Sequence, residues 1–313
     1  MAEAELTEVL ARLLSNIREP KLRRCSRILL QDLVALVSKI RLCVMIDYIF
    51  VPPAKLRSML GALWSTWAPL QDISVLELDG AVFLVRCELA VKRLTDELDH
   101  LQMQSLRDID CTHNGNLTSP VFIRLDGCDA PRVSPHKDVQ AILPHLFAFV
   151  KAMKESMTTS TGEGSLLRWH DLATSGWGGQ HHDHPVPLPT LAGWLLEYPA
   201  VYIFHPDKGT SAAGALSSCS LLGYEIWSTS PALQGSQTHG DGLMLMSFSI
   251  PSELLSFSDT VEIRAEKDAL PKSQATELGS EISIKVKQLM SRMEDRSSSS
   301  DIVKARENLI SDW

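Results

Sequence analysis

Asp79-Gly80 stands between two apolar runs, Ile73–Leu78 and Ala81–Val85. A two-residue hairpin turn of this kind needs positive φ at both central positions, which aspartate tolerates and glycine adopts freely. The pair therefore puts an antiparallel couple into whatever sheet the chain builds. Around it, helical and strand patterns alternate. Leu6, Val9, Leu10, Leu13, Leu14 and Ile17 form a helical stripe closed by Pro20. A second helix spans about Cys25–Ile40. The run Leu42–Phe50 is β-branched and aromatic, which predicts a buried strand stopped by Pro52 and Pro53.

Further helices are expected over Leu56–Trp67, Glu88–Gln104 and from Ser134-Pro135 to Val150, the last kinked near Pro144. Val121–Leu125 and Val201–Phe204 read as buried strands, separated by a short helix over Leu191–Leu196. Pro206–Ser220 reads as a loop of small residues, followed by strands over Leu221–Thr229 and Gly242–Ile250. A helical turn is expected at Leu254–Phe257, an edge strand at Val261–Ala265 and a helix from Leu278 to Met293.

This order predicts one α/β domain over residues 1–293, followed by a flexible tail at 294–313. The expected sheet is mixed and mostly parallel, with helices on both faces and the hairpin. The alternative is α+β, with the last strands in a sheet of their own. Residues 156–187 show no periodicity, and irregular stretches of that length tend to be functional or disordered. Trp169 and Trp177 argue for order, since disordered segments are poor in aromatics.

Composition narrows the function classes. With a net charge of −8 the surface repels a phosphate backbone, so nucleic-acid binding is not expected. The basic run Lys21, Arg23, Arg24 and Arg27 is accounted for by the solvated face of a helix. No apolar run reaches the ~20 residues that cross a bilayer. The start, MAEAELTEVL, has neither the basic nor the apolar region of a signal peptide. The six cysteines contain no Cys-x-x-Cys pair and fit a reducing compartment. A cytoplasmic location without membrane attachment is expected.

Complete catalytic signatures are missing. Gly209 and Gly214 have phosphate-loop spacing, but Ala215-Leu216 occupy the positions of the required Lys and Ser/Thr. Neither Gly-x-Gly-x-x-Gly after a strand nor Gly-x-Ser-x-Gly is present. No cofactor is expected. What remains are residues at strand ends, where open α/β sheets bind ligands. Asp47, Asp126 and His205 follow three of the expected strands. On one rim they would suit acid–base work or metal-assisted hydrolysis. Turn chemistry alone also places such residues there, and Asp126-Gly127 is a turn dipeptide in any case. His182, Asp183 and His184, within His181–His184, offer metal-binding side chains without the third ligand in fixed geometry that zinc demands. A histidine-rich loop with incidental metal affinity is the preferred reading, and no metal site is expected.

The segment Pro187-Leu188-Pro189-Thr190-Leu191-Ala192-Gly193-Trp194-Leu195-Leu196-Glu197-Tyr198-Pro199, running into Val201–Phe204, resembles the hallmark of an uncharacterised animal protein family. That family is catalogued as a domain of unknown function. The strand bearing Asp47 and the helix after it are similar in placement, so the resemblance covers about residues 25–265. It carries no activity, cofactor or catalytic residue, and implies a complete eukaryotic protein. The expected function is a non-catalytic binding or adaptor protein with a protein partner. The alternative is a hydrolase or transferase acting on a small ligand at the carboxyl-end edge of the sheet.

Overall fold

Strands that are apolar on both faces have to be covered on both sides, and this requirement sets the layering. The computed structural model describes residues 20–64, 70–106, 119–125, 130–159, 166–168, 186–228, 243–254 and 303–310. In chain order these form α1 (Pro20–Arg24), α2 (Ser26–Val37), β1 (Cys43–Met45), α3 (Pro53–Trp64), β2 (Ile73–Leu78), β3 (Ala81–Arg86) and α4 (Cys87–Leu106). Next come β4 (Val121–Arg124), β5 (Arg132–Val133), α5 (His136–Thr159), β6 (Leu166–Arg168), α6 (Leu188–Leu195) and β7 (Ala200–Ile203). A short 3-10 helix (Pro206–Lys208) leads into α7 (Gly209–Ser217), β8 (Leu221–Ser228) and β9 (Leu243–Pro251). A 3-10 turn (Ser252–Leu254) follows, and β10 (Val303–Ile310) is the last element.

The strands assemble as β1-β3-β2-β6, β5-β4-β7 and β10-β8-β9. Among the described residues only β2–β6 and β4–β7 are parallel; the other five pairings are antiparallel. The expected mostly parallel sheet is therefore corrected to mixed α/β content in small, mostly antiparallel sheets. The physical cause lies at the hairpin. Its turn forms as predicted, with φ of 46° at Asp79 and 82° at Gly80. Yet β3, not β2, takes the place beside β1, which makes that contact antiparallel. A strand buried on both faces has the same apolar pattern in either orientation, so the pattern could not choose.

Alternate residues of the strands face two core clusters. Val44, Val75, Leu84, Val121, Ile123 and Ala200 meet α2, α3 and the β8–β9 pair on one side. Cys43, Leu76, Phe83, Val85, Phe122 and Val201 meet α4, α5 and α6 on the other. Further ties cross the first layer. Arg41 Nη1 donates to the Leu245 carbonyl of β9, and Tyr202 Oη donates to the Ser249 carbonyl at 2.8 Å. Arg86 lies at the end of β3, where Nε and Nη2 donate to Asp72 Oδ2 at 3.0 and 2.5 Å. Its Nη1 donates to the carbonyls of Leu36 and Val37 at 3.1 and 3.0 Å, capping the last turn of α2 from another element.

The Pro-Leu-Pro segment owes its composition to three contacts. Pro187 stands just before α6 in extended conformation and Pro189 follows inside the first turn, where its missing N–H costs nothing. Thr190 Oγ1 donates to the Tyr202 carbonyl at 2.6 Å, tying the helix to β7. At the far end Glu197 takes a left-handed φ of 59°. Its N–H reaches the Trp194 carbonyl at 3.1 Å, and Tyr198 N–H reaches Gly193 O at 2.9 Å. This is a Schellman cap with glutamate at the position glycine usually fills. The side chains of Glu97, Arg93 and Glu197 sit together under the helix, with Arg93 3.1 Å from Glu97 and 3.8 Å from Glu197.

Three local differences complete the comparison with the sequence. Only Cys43–Met45 of the expected strand Leu42–Phe50 is a strand. Pro206–Ser220, read as a loop, holds α7, whose Gly209, Ser211, Gly214 and Ser217 disguise an alanine-supported helix. β6 lies within the stretch 156–187, where no periodicity announced it. The stripe at Leu6–Ile17 and the elements expected after Leu254, up to β10, fall outside the described residues.

Candidate functional site

The exit of β1 gathers the most unusual set of side chains. Its last ladder bond is Ile46 N–H to the Val82 carbonyl, 2.8 Å. The chain then crosses Asp47, Tyr48, Ile49 and Phe50 before Val51 is buried again and α3 begins at Pro53. This crossing is fastened to α2. Tyr48 Oη donates to Asp32 Oδ2 at 2.8 Å, and the Cys25 thiol lies 3.8 Å from the Tyr48 carbonyl. Cys25, Ile28 and Asp32 follow one another at i, i+3 and i+7, so they share one helical face.

Electrostatics mark the same place. Burial pushes the Asp32 carboxyl up from 3.8 to about 6; the Tyr48 hydrogen bond and the Arg41 charge oppose that rise, and Asp47 adds to it. Burial also pushes the Tyr48 hydroxyl up, helped by the neighbouring Asp32. The same crossing and the start of α2 carry exposed groups. Phe50 is 84% exposed and Ile28 is 43% exposed, unusual values for large apolar side chains. Asp47, Arg23, Arg24 and Arg27 are exposed as well.

The second place of interest is the β4–β7 edge. These strands are parallel neighbours, in register from Val121↔Ala200 to Arg124↔Ile203. His205 thus stands just past the end of β7, the parallel neighbour of β4. Arg124 Nη1 reaches Asp138 Oδ2 at 2.5 Å, joining β4 to the first turn of α5. His205 Nδ1 accepts from Asp207 N–H at 3.4 Å and so caps the 3-10 helix. Its side chain is 65% exposed.

Of the residues singled out from sequence, Asp47 lies at the β1 exit beside Asp32, and His205 lies at the β4–β7 edge. Strand β1 is hydrogen-bonded to β3 in a different sheet from β4 and β7. Asp126, His182, Asp183 and His184 lie outside the described residues. Among the described residues no group of three or more His, Cys, Asp or Glu could hold a metal ion. No helix among them is long and apolar enough to cross a membrane. Sequence reasoning missed Asp32 and its partner Tyr48. The available signal was a lone carboxylate in the apolar stretch Ile28–Ile40.

The model of one protein family, described as a domain of unknown function (DUF4504), matches residues 11–292. No curated protein and no solved structure matches the chain.

Proposed function

We propose, for a chain that belongs to the DUF4504 family and takes no activity from it, that it is a non-catalytic binding or adaptor protein. Its contact for a protein partner would be the β1 exit. The observation that carries this reading is Phe50, whose ring is 84% exposed on a segment fastened beneath by the Tyr48–Asp32 bond. A fixed, exposed aromatic loses little freedom on docking and fills a partner's pocket well, which is why such residues dominate interface energetics. Ile28 widens the apolar contact, and the exposed Arg23, Arg24 and Arg27 favour a partner segment with carboxylates beside its apolar pocket.

The test is a quantitative co-purification with three proteins: wild type, Phe50→Ala and a control substitution at exposed Met103→Ala. Partners that Phe50→Ala loses and Met103→Ala keeps, at unchanged melting temperature, support the reading. Identical partner sets for all three overturn it.

A second reading is supported by the parallel β4–β7 pair, with His205 standing after the end of β7. There Asp126 and His205 would serve a hydrolase or transferase acting on a small ligand. A ligand that raises the melting temperature of wild type but not of Asp126→Asn or His205→Ala would favour this reading over the first. Thermal shifts equal in all three proteins would remove it.

A further inference from the structure

Arg41 stands just before β1 and is only 8% exposed. Its Nη1 donates to the Leu245 carbonyl of β9. A guanidinium carries five N–H donors. Among the described residues no other acceptor meets them, and no carboxylate lies within ion-pair distance. A charge taken out of water without a counter-ion is costly, so buried arginines are ordinarily matched to an acid. Neither Nε nor Nη2 is sealed from solvent, so a small group can still reach them.

A second donor shares this neighbourhood. Tyr198 follows the cap of α6, and its ring lies beside Phe248 of β9 with centroids 5.8 Å apart. Burial pushes its hydroxyl up, and the Arg41 charge opposes that rise. The hydroxyl, too, has no hydrogen-bond partner among the described residues and is not sealed. Two donors, one before β1 and one after α6, thus meet beside β9 with nothing to receive them.

A carboxylate supplies what is missing. Its two oxygens match the parallel N–H groups along the Nε–Nη2 edge of a guanidinium, and a phenol can donate to either. A phosphate group fits the same fork but carries about −1.5 to −2 charges at neutral pH. Asp32 and Asp47 act on the same place. Their repulsion grows with ligand charge, which favours a monoanion.

We infer that Arg41 and Tyr198 form a binding site for a small monocarboxylate, held by the Nε–Nη2 edge and the phenol hydroxyl. The site uses neither Phe50 nor the β4–β7 edge and is independent of both readings given for them. Asp32 modulates it. That carboxyl is faced by Tyr48, Arg41 and Asp47, and its value of about 6 means that it turns neutral in mild acid, which removes one repelling charge.

Equilibrium dialysis of the full-length protein against labelled acetate, at constant ionic strength, tests the site. The result expected is saturable uptake with a millimolar dissociation constant. Uptake should be several-fold tighter at about pH 5.5 than at about pH 7.5, since a simple carboxylate is still mostly ionised at the lower value. Tyr198→Phe keeps the ring beside Phe248 and should bind about tenfold more weakly, while Arg41→Gln should not bind. Asp32→Asn should bind at about pH 7.5 as tightly as wild type does at about pH 5.5. If Arg41→Gln fails to fold by circular dichroism, Tyr198→Phe decides alone. The site is overturned by absence of saturable uptake at both pH values, by uptake that Tyr198→Phe leaves unchanged, or by phosphate displacing acetate more strongly than unlabelled acetate does.

Discussion

Trp194 Nε1 donates to Glu97 Oε1 at 2.7 Å, joining α6 to the middle of α4 deep in the second core cluster. Trp194 is 2% exposed and Glu97 5%, so neither group can turn to solvent for a substitute. Replacing Trp194 with Phe keeps most of the apolar volume but removes the donor. The expected loss is about 1–3 kcal/mol, the cost of a buried acceptor left unmade. Glu97→Leu should cost more, about 3–5 kcal/mol, because it also takes the nearer carboxylate from Arg93. Urea unfolding of both variants checks the order.

Glu197 offers the opposite case. At a φ of 59° it carries the left-handed penalty that glycine escapes. Glu197→Ala loses the contact with Arg93 and keeps the strain, whereas Glu197→Gly loses the contact and relieves it. Glycine should therefore be more stable than alanine at this position by about 1 kcal/mol. Equal melting temperatures would show that the cap is not left-handed in solution.

Asp32 gives stability a particular dependence on pH. Its folded value of about 6 lies above the ordinary 3.8, so the folded chain binds this proton more tightly than the unfolded one. The stabilisation is complete below about pH 3.8 and is lost as pH rises through about 6. The full difference amounts to about 3 kcal/mol, an upper figure for a half-buried group. Asp32→Asn should keep a hydrogen bond with Tyr48, flatten the decline between pH 4 and 7, and be the more stable protein at pH 7. Denaturation midpoints of both proteins across that range decide it.

Phe50→Ala should change unfolding free energy by no more than about 0.5 kcal/mol, since an exposed ring removes little apolar surface from water. A larger loss would mean that the ring packs against the protein, leaving the proposed partner without its anchor. Calorimetry beside the co-purification separates the two outcomes.

The hairpin, α2, α3, α4, β4, β7, β8 and β9 were legible because each depends on local periodicity or on a turn that few residues can make. Strand order was not legible. Whether β2 or β3 sits against β1 depends on packing between residues forty positions apart, and Val75 and Leu84 are equally apolar. The left-handed cap was hidden because glutamate, not glycine, occupies it. At the candidate site Asp47 was visible as a strand-end carboxylate. Asp32 was not, because its significance arises only when Tyr48 folds back over α2 and burial displaces water.

The guanidinium of Arg86 closes α2 from a position fifty residues further along the chain. Until the hairpin docks, the Leu36 carbonyl has only its local bond from Lys39 N–H and the Val37 carbonyl lacks the Arg86 donor, so the final turn of that helix frays more readily. Amides near the end of α2 and amides in β3 should then exchange with deuterium in one shared opening event, a single cooperative block assembled from distant stretches of sequence.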